Sequence, residues 1–327
     1  MKRLSLIALA LATPLAVMAQ TTVFSDNFTG GSTIQSASPG APTSTSTAYE
    51  VWTSSGAPAG YNIAANDLTF SSISGGSQLA EIEAQFPTVS LANIGDNVTL
   101  TLTFVDTANV LLTAMNANAS LNVGLFNSGG VSPNHGAQLN LSGTTITGGS
   151  QGWAGYVGRL MVNGNSSAYN RSGQSVGTST TSQNQDLIFN NASSTAAYNN
   201  PTGANSTGNV GTSAPFPGLT QSSTYTLSYT LTLTAANAIT ITNQLYSGST
   251  ASGTALYNMK GVETGSSFLG STFDGLGFGY RYTSATAAIS TLDISQITIL
   301  TNVPEPSVFV LSGFGILALG MVRRLKR

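Results

Sequence analysis

Thr224-Tyr225-Thr226-Leu227-Ser228-Tyr229-Thr230-Leu231-Thr232-Leu233 alternates without a break. Tyr225, Leu227, Tyr229, Leu231 and Leu233 fall on one side, and Thr and Ser fall on the other. A period of two is the pattern of a β-strand with one face in a core and one toward water. A short polar turn follows, Thr234-Ala235-Ala236-Asn237, and then Ala238 to Leu245 resumes the alternation with Ile239, Ile241 and Leu245. The pair predicts a β-hairpin, and the same pattern organises the chain on either side of it.

Val98 to Val105 places Val98, Leu100, Leu102 and Phe104 on one face and Thr99, Thr101 and Thr103 on the other. Gln78 to Phe86 alternates Leu79, Glu81, Glu83 and Gln85 against Ala80, Ile82, Ala84 and Phe86, and the second set is expected to be buried. Between them, Leu91 to Asn97 reads as a turn. Ala119 to Phe126, Trp153 to Val162, Phe273 to Tyr282 and Ile289 to Leu300 are further strands, as is the weaker Thr22 to Phe28. Tyr49 to Trp52, Asp67 to Ile73 and Asp186 to Phe189 are short candidates. In Phe273 to Tyr282 glycine alternates with large apolar residues, which leaves room on one face for a close neighbour. Gly30 to Thr47, the stretch from Asn127 to His135, and the low-complexity stretches 163–184 and 192–218 read as loops. No segment between the two termini shows 3.6-residue periodicity over three turns; Ala108 to Ala119 comes nearest, and its Asn content weakens it.

Both ends read as processing segments. Met1-Lys2-Arg3 is basic, Leu4 to Val17 is almost wholly apolar, and Val17-Met18-Ala19 suits a signal peptidase. Residues 1–19 are therefore expected to be a secretory signal peptide, handled by the Sec translocon and cleaved between Ala19 and Gln20. At the other end, Val303-Pro304-Glu305-Pro306-Ser307 is a rigid hinge, 307–322 carries no charge, and Arg323, Arg324, Lys326 and Arg327 form a cationic stop. As a helix, 307–322 spans roughly 24 Å, short for a ~30 Å hydrocarbon core unless the flanking cations snorkel. The positive-inside rule puts that stop in the cytoplasm and everything before it outside the inner membrane.

Removing both ends changes the charge. Only Arg159, Arg171, Lys260 and Arg281 remain against eleven acids, so the span 20–302 is near −7 rather than the −2 of the whole chain. Nucleic acid and anionic surfaces, which need clustered Lys and Arg, are disfavoured as partners. Cysteine is absent, which excludes disulfides, thiolate metal sites and a thiol nucleophile. Stability must come from a hydrophobic core, and about ten to twelve alternating segments with turn-rich gaps favour one β-sandwich.

Pro304-Glu305-Pro306, an apolar helix from Phe309 to Val322 and the basic tail from Arg323 to Arg327 together resemble the PEP-CTERM sorting signal of Gram-negative bacteria. The resemblance covers about 25 residues. It implies an exosortase-type membrane transpeptidase as partner, a transient inner-membrane anchor, and release to the cell surface or extracellular polymer. A plain single-pass anchor is the alternative.

Phe273-Asp274-Gly275-Leu276-Gly277-Phe278-Gly279-Tyr280, with the final Ile294-Ser295-Gln296-Ile297-Thr298-Ile299, resembles the concanavalin A-like jelly roll of lectins and laminin-G-type modules. The resemblance implies that the first and last strands pair, Thr22–Phe28 with Ile289–Leu300. An immunoglobulin-like sandwich, two smaller sandwiches or a β-helix are the alternatives.

Chemistry is sparse. His135 is the only histidine, sits in a Ser-Pro-Asn-His-Gly loop, and has no Gly-x-Ser-x-Gly elbow beside it. Glu81 and Glu83 share one strand face roughly 6–7 Å apart. The jelly-roll resemblance implies that glycosidases use such a pair as nucleophile and acid/base with a third acid further on, where this chain has Ala84-Gln85. The blander reading is two carboxylates on a solvated face. Asp96, Asp106, Asp186, Asp274 and Asp293 are dispersed, so no cofactor is expected beyond the bare option of a structural Ca²⁺. Trp52, Trp153, Tyr156, Tyr280 and Tyr282 are candidates to stack on sugar rings. The expected function is a structural or adhesive, carbohydrate-binding surface protein without catalysis; the alternative is a polysaccharide-active enzyme centred on Glu81 and Glu83.

Overall fold

The computed structural model describes residues 20–28, 50–53, 60–64, 66–71, 76–107, 120–131, 152–160, 167–171, 198–199, 219–265, 268–284 and 291–303. The readings of the two termini, of His135, of Ala108 to Ala119 and of Asp186 to Phe189 lie outside these residues. No helix among the described residues is long and apolar enough to cross a membrane.

Fifteen strands are described, in chain order β1 (Thr21–Asp26), β2 (Glu50–Thr53), β3 (Gly60–Ala64), β4 (Asp67–Ser71), β5 (Gly76–Ser90), β6 (Asn97–Asp106), β7 (Ser120–Asn127), β8 (Ala154–Leu160), β9 (Ser167–Arg171), β10 (Tyr198–Asn199), β11 (Thr224–Ala235), β12 (Ala238–Ser247), β13 (Tyr257–Thr264), β14 (Thr272–Ser284) and β15 (Thr291–Thr301). They form two antiparallel sheets. The eight-stranded sheet runs β13-β12-β11-β6-β15-β4-β3, with β1 also on β15; the seven-stranded sheet runs β10-β9-β8-β7-β14-β5-β2. The chain crosses between them repeatedly, and the two last strands enter the middle of opposite sheets. This is an all-β sandwich of the jelly-roll kind. Thr21 to Val303 form one compact unit.

The hairpin that opened the sequence reading is β11–β12, paired in register from Tyr225↔Ser247 to Ala235↔Ala238. Its apolar face continues across neighbouring strands. Ile297, Leu102, Leu227, Leu245 and Tyr257 stand in one cross-strand row, and every one is buried. Burying an aliphatic side chain of that size contributes about 1.5–3 kcal/mol, so a row of this kind outweighs any single polar contact in the sheet. In the other sheet, Ile82, Phe278 and Val123 form a buried row of the same core. The expected pairing of first and last strands is present, from Thr21↔Thr301 to Asp26↔Ile297.

The two sheets approach closely where β8 carries Gly158. A Cβ there would lie 2.7 Å from the Tyr229 ring and 3.1 Å from the Asn243 amide nitrogen. The missing side chain is what lets Tyr229 fill the gap. Beside it, Glu263 and Asn243 carry polar groups into the interior. Burial pushes the Tyr229 phenol well above its usual range, with the charges of Tyr156 and Glu263 adding to it.

Several expectations are corrected. The stretch 163–184, read as loop, contains β9, and 192–218 contains β10. Both are short polar segments held by ladder pairing with a neighbour rather than by a pattern of their own. β3 and β13 were not foreseen. β13 turns Tyr257, Met259, Gly261 and Glu263 inward, and Gly and Glu at core positions hide the alternation.

Candidate functional face of the seven-stranded sheet

β14 runs through the middle of the seven-stranded sheet, and its outward positions are Gly275, Gly277 and Gly279. Pairing with β5 and β7 extends each glycine into a row. The first row is Gln85, Gly275, Phe126 and Gly155. The second is Glu50, Glu83, Gly277, Gly124 and Val157, and the third is Trp52, Glu81, Gly279, Asn122 and Arg159.

The first row is filled. The Trp153 ring lies over Gly275, where a Cβ would come within 2.6 Å of it. Phe126 occupies the space left by Gly124 and Gly155, and the two rings meet at 6.3 Å and 43°. The Trp153 indole N–H donates to the Val131 carbonyl at 2.9 Å. Gln85 donates to the same carbonyl at 3.0 Å and to the Ser128 hydroxyl at 3.1 Å. The Asp274 carboxylate accepts the Ser128 backbone N–H at 2.6 Å and its hydroxyl at 2.8 Å. Gly129 and Gly130 take positive φ values of 61° and 80°, which lets the loop after β7 fold back over the rings. This end of the face is a packed plug.

Two of the predicted sugar contacts are thereby corrected. Trp153 is 0% exposed because it seals the plug. Tyr156 is also 0% exposed and points the other way, between the sheets. Its hydroxyl accepts the Leu269 N–H at 2.8 Å and donates to the Gly270 carbonyl at 3.2 Å, and its ring packs 6.1 Å from Phe273. Burial, above all, pushes its phenol up. Backbone register sets Trp52 opposite Glu81 of β5.

The carboxylate pair is rearranged too. Glu83 is only 1% exposed, so the two glutamates are not a solvated pair on an open face. Glu83 sits between β2 and β14 in the sheet interior, and Glu50 stands directly across from it. Glu50 was missed because it lies on a different strand, 33 positions back, and sequence spacing shows only same-strand neighbours.

Three cationic residues lie in strands of the same sheet. Arg159 is in the third row, Arg281 is on β14 opposite Ser120, and Arg171 is on β9 opposite Gly155. Of the four cationic residues between the termini, three lie in strands of this sheet, and Lys260 is on β13 of the other. With strands ~4.8 Å apart, the row from Trp52 to Arg159 covers roughly 19 Å. Its register sets Trp52, Glu81, Gly279, Asn122 and Arg159 side by side; Asn122 is buried and Arg159 half-buried. Aromatic, carboxylate, amide and guanidinium are the residue types that stack on and hydrogen-bond to a polyhydroxylated chain. Among the described residues no group of three or more His, Asp or Glu stands ready to hold a metal ion.

No family model matches the chain, and no curated protein matches it either. Among solved structures it is similar to an alginate lyase from Aplysia kurodai, at 12% identity and a TM-score of 0.41, covering 86% of this chain and 99% of that one. It is similar to an endo-1,3-beta-glucanase from Streptomyces sioyaensis, at 11% identity and a TM-score of 0.40, covering 87% and 97%. Basic winged bean lectin is similar at 10% identity and a TM-score of 0.39, covering 88% and 100%. These lectins and enzymes are what the chain is similar to in outline, and no activity is carried across from them.

Proposed function

We propose that the protein is exported, held at the inner membrane by its C-terminal segment, sorted through Pro304-Glu305-Pro306 by a membrane transpeptidase, and placed at the cell surface or in extracellular polymer. There its sandwich binds carbohydrate without transforming it. The observation that carries the binding reading is the register that sets Trp52, Glu81, Gly279, Asn122 and Arg159 side by side across five strands. The burial of Glu83 favours binding over hydrolysis, since a nucleophile must reach its substrate.

The test is co-sedimentation of the full chain with extracellular polysaccharide. Trp52→Ala is expected to weaken retention at least about tenfold, the equivalent of ~1.4 kcal/mol. Trp153→Phe is expected to leave retention unchanged. Equal retention by all three forms would sink the reading. A second reading rests on the register of Glu50 opposite Glu83, which adds an acid from a neighbouring strand. Release of new reducing or unsaturated chain ends, lost in Glu81→Gln, would favour an enzyme. Sorting is checked by intact mass: a form ending between Val303 and Pro306 in the outer fraction supports it, and retention of Arg327 in the membrane fraction refutes it.

A further inference from the structure

The eight-stranded sheet has two poles, and they differ. At one pole the register brings together the start of β1 and the end of β15, through Thr21↔Thr301. The loop 91–96 lies beside them, because Asn302 accepts the Asn97 N–H at 2.7 Å and donates to the Gly95 carbonyl at 3.1 Å. The β11–β12 turn closes the same pole, with the Gly95 N–H on the Leu233 carbonyl and the Leu233 N–H on the Asp96 carbonyl. Ile94 stands at the tip of this pole at 72% exposed, the most exposed large apolar residue among those described.

The chemistry of the pole is unusual for a span with eleven acids and four bases. Residues 91–97, 234–237, 264–265 and 302–303 contain a single acid, Asp96. It is buried, and its carboxylate accepts the N–H groups of Ala92 at 2.9 Å and Asn93 at 2.8 Å. The loop's one charge is turned inward and its isoleucine is turned out. A single exposed apolar residue is ordinary on a protein surface. One at the tip of a charge-free pole, where the chain leaves for an apolar segment, is a different arrangement. Only five residues separate Val303 from Phe309, a tether of at most roughly 20 Å. An acidic surface would be repelled at that distance by anionic headgroups, and an uncharged one with an apolar tip is not.

We propose that the Ile94 pole is a lipid-contacting surface that rests on the bilayer while the C-terminal segment is anchored. This rests on the reading of 307–322 as a membrane helix. The chain has no cysteine, so a single label can be placed at will. The full chain with its tail intact is reconstituted in phosphatidylethanolamine/phosphatidylglycerol vesicles whose acyl chains are brominated. An environment-sensitive fluorophore is attached at Ile94→Cys or, at the opposite pole, at Leu256→Cys, a position 38% exposed in the β12–β13 loop.

A label lodged ~5–10 Å into the headgroup boundary is expected to lose emission about twofold at position 94 and not at 256. Equal emission at both positions in vesicle-bound protein overturns the proposal, whatever else covers the pole. Failure to float with vesicles overturns the anchor itself, and that outcome is read separately by flotation. Ile94→Asp, at a solvent-facing tip, is expected to keep the melting temperature and to restore emission from a label at Ala92→Cys.

Discussion

Asn302 reads both sides of Asn97: its side-chain oxygen takes the Asn97 N–H at 2.7 Å, and its own backbone N–H reaches the Asn97 carbonyl at 3.4 Å. Thr301 adds a hydroxyl to that carbonyl at 2.8 Å. The last strand is thus fastened to the start of β6 one residue before the chain leaves the fold.

Asn302→Ala leaves the Asn97 N–H without its acceptor and is expected to cost about 1–3 kcal/mol. Chemical denaturation should show this as a lower midpoint at unchanged slope. An unchanged midpoint would mean that the last strand is secured by its β6 ladder alone.

Gly155 and Gly158 lie on opposite faces of β8 and should fail differently. A Cβ at Gly155 runs into the Leu125 carbonyl and the Phe126 Cα, both backbone, so Gly155→Ala must displace a strand. Gly158→Ala meets the Tyr229 ring at 2.7 Å, a side chain that can tilt. The expected order of melting temperatures is wild type, then Gly158→Ala by about 1–3 kcal/mol of overpacking, then Gly155→Ala.

Asp67 gives a pH signature. Burial first, and the charge of Asp293 second, raise its pKa in the folded state above the ordinary 3.8. The folded state then holds the proton more tightly than the unfolded one. Stability therefore falls as pH rises through this window and stays lower above it. Asp67→Asn should melt higher than wild type at neutral pH, and the gain should vanish as pH drops below the ordinary carboxylate range. The part owed to Asp293 should shrink with added salt. A gain independent of pH would refute the assignment.

Tyr156 and Tyr229 should resist alkaline titration. Both phenols are raised above the ordinary 10.0 by burial. In an absorbance titration the exposed tyrosines ionise first, and these two should ionise only together with loss of near-ultraviolet dichroism. Since the folded pKa values lie above the unfolded ones, stability falls as pH climbs from 10 upward. Tyr229→Phe should reduce that alkaline loss while leaving the melting temperature at pH 7 nearly unchanged.

The alternation in Val98–Val105, Thr224–Leu233 and Ala238–Leu245 was enough to name the strands, their buried faces and the hairpin, because period-two burial is a local property of the chain. The negative balance of the span 20–302 and the absence of thiol chemistry were equally plain in the composition. What surrounds each strand was not legible. Glu83 alternates like a surface residue, yet it is buried on a strand flanked by β2 and β14. Trp153 looked available for a sugar, yet Gly275, more than a hundred positions away, gives it a socket. Arg159 and Arg281 are far apart in the chain and lie in one sheet only because β8, β7 and β14 are neighbours. Periodicity says which way a side chain faces. Strand order says what it faces, and strand order is set by packing between segments remote in sequence, which only the tertiary structure decides.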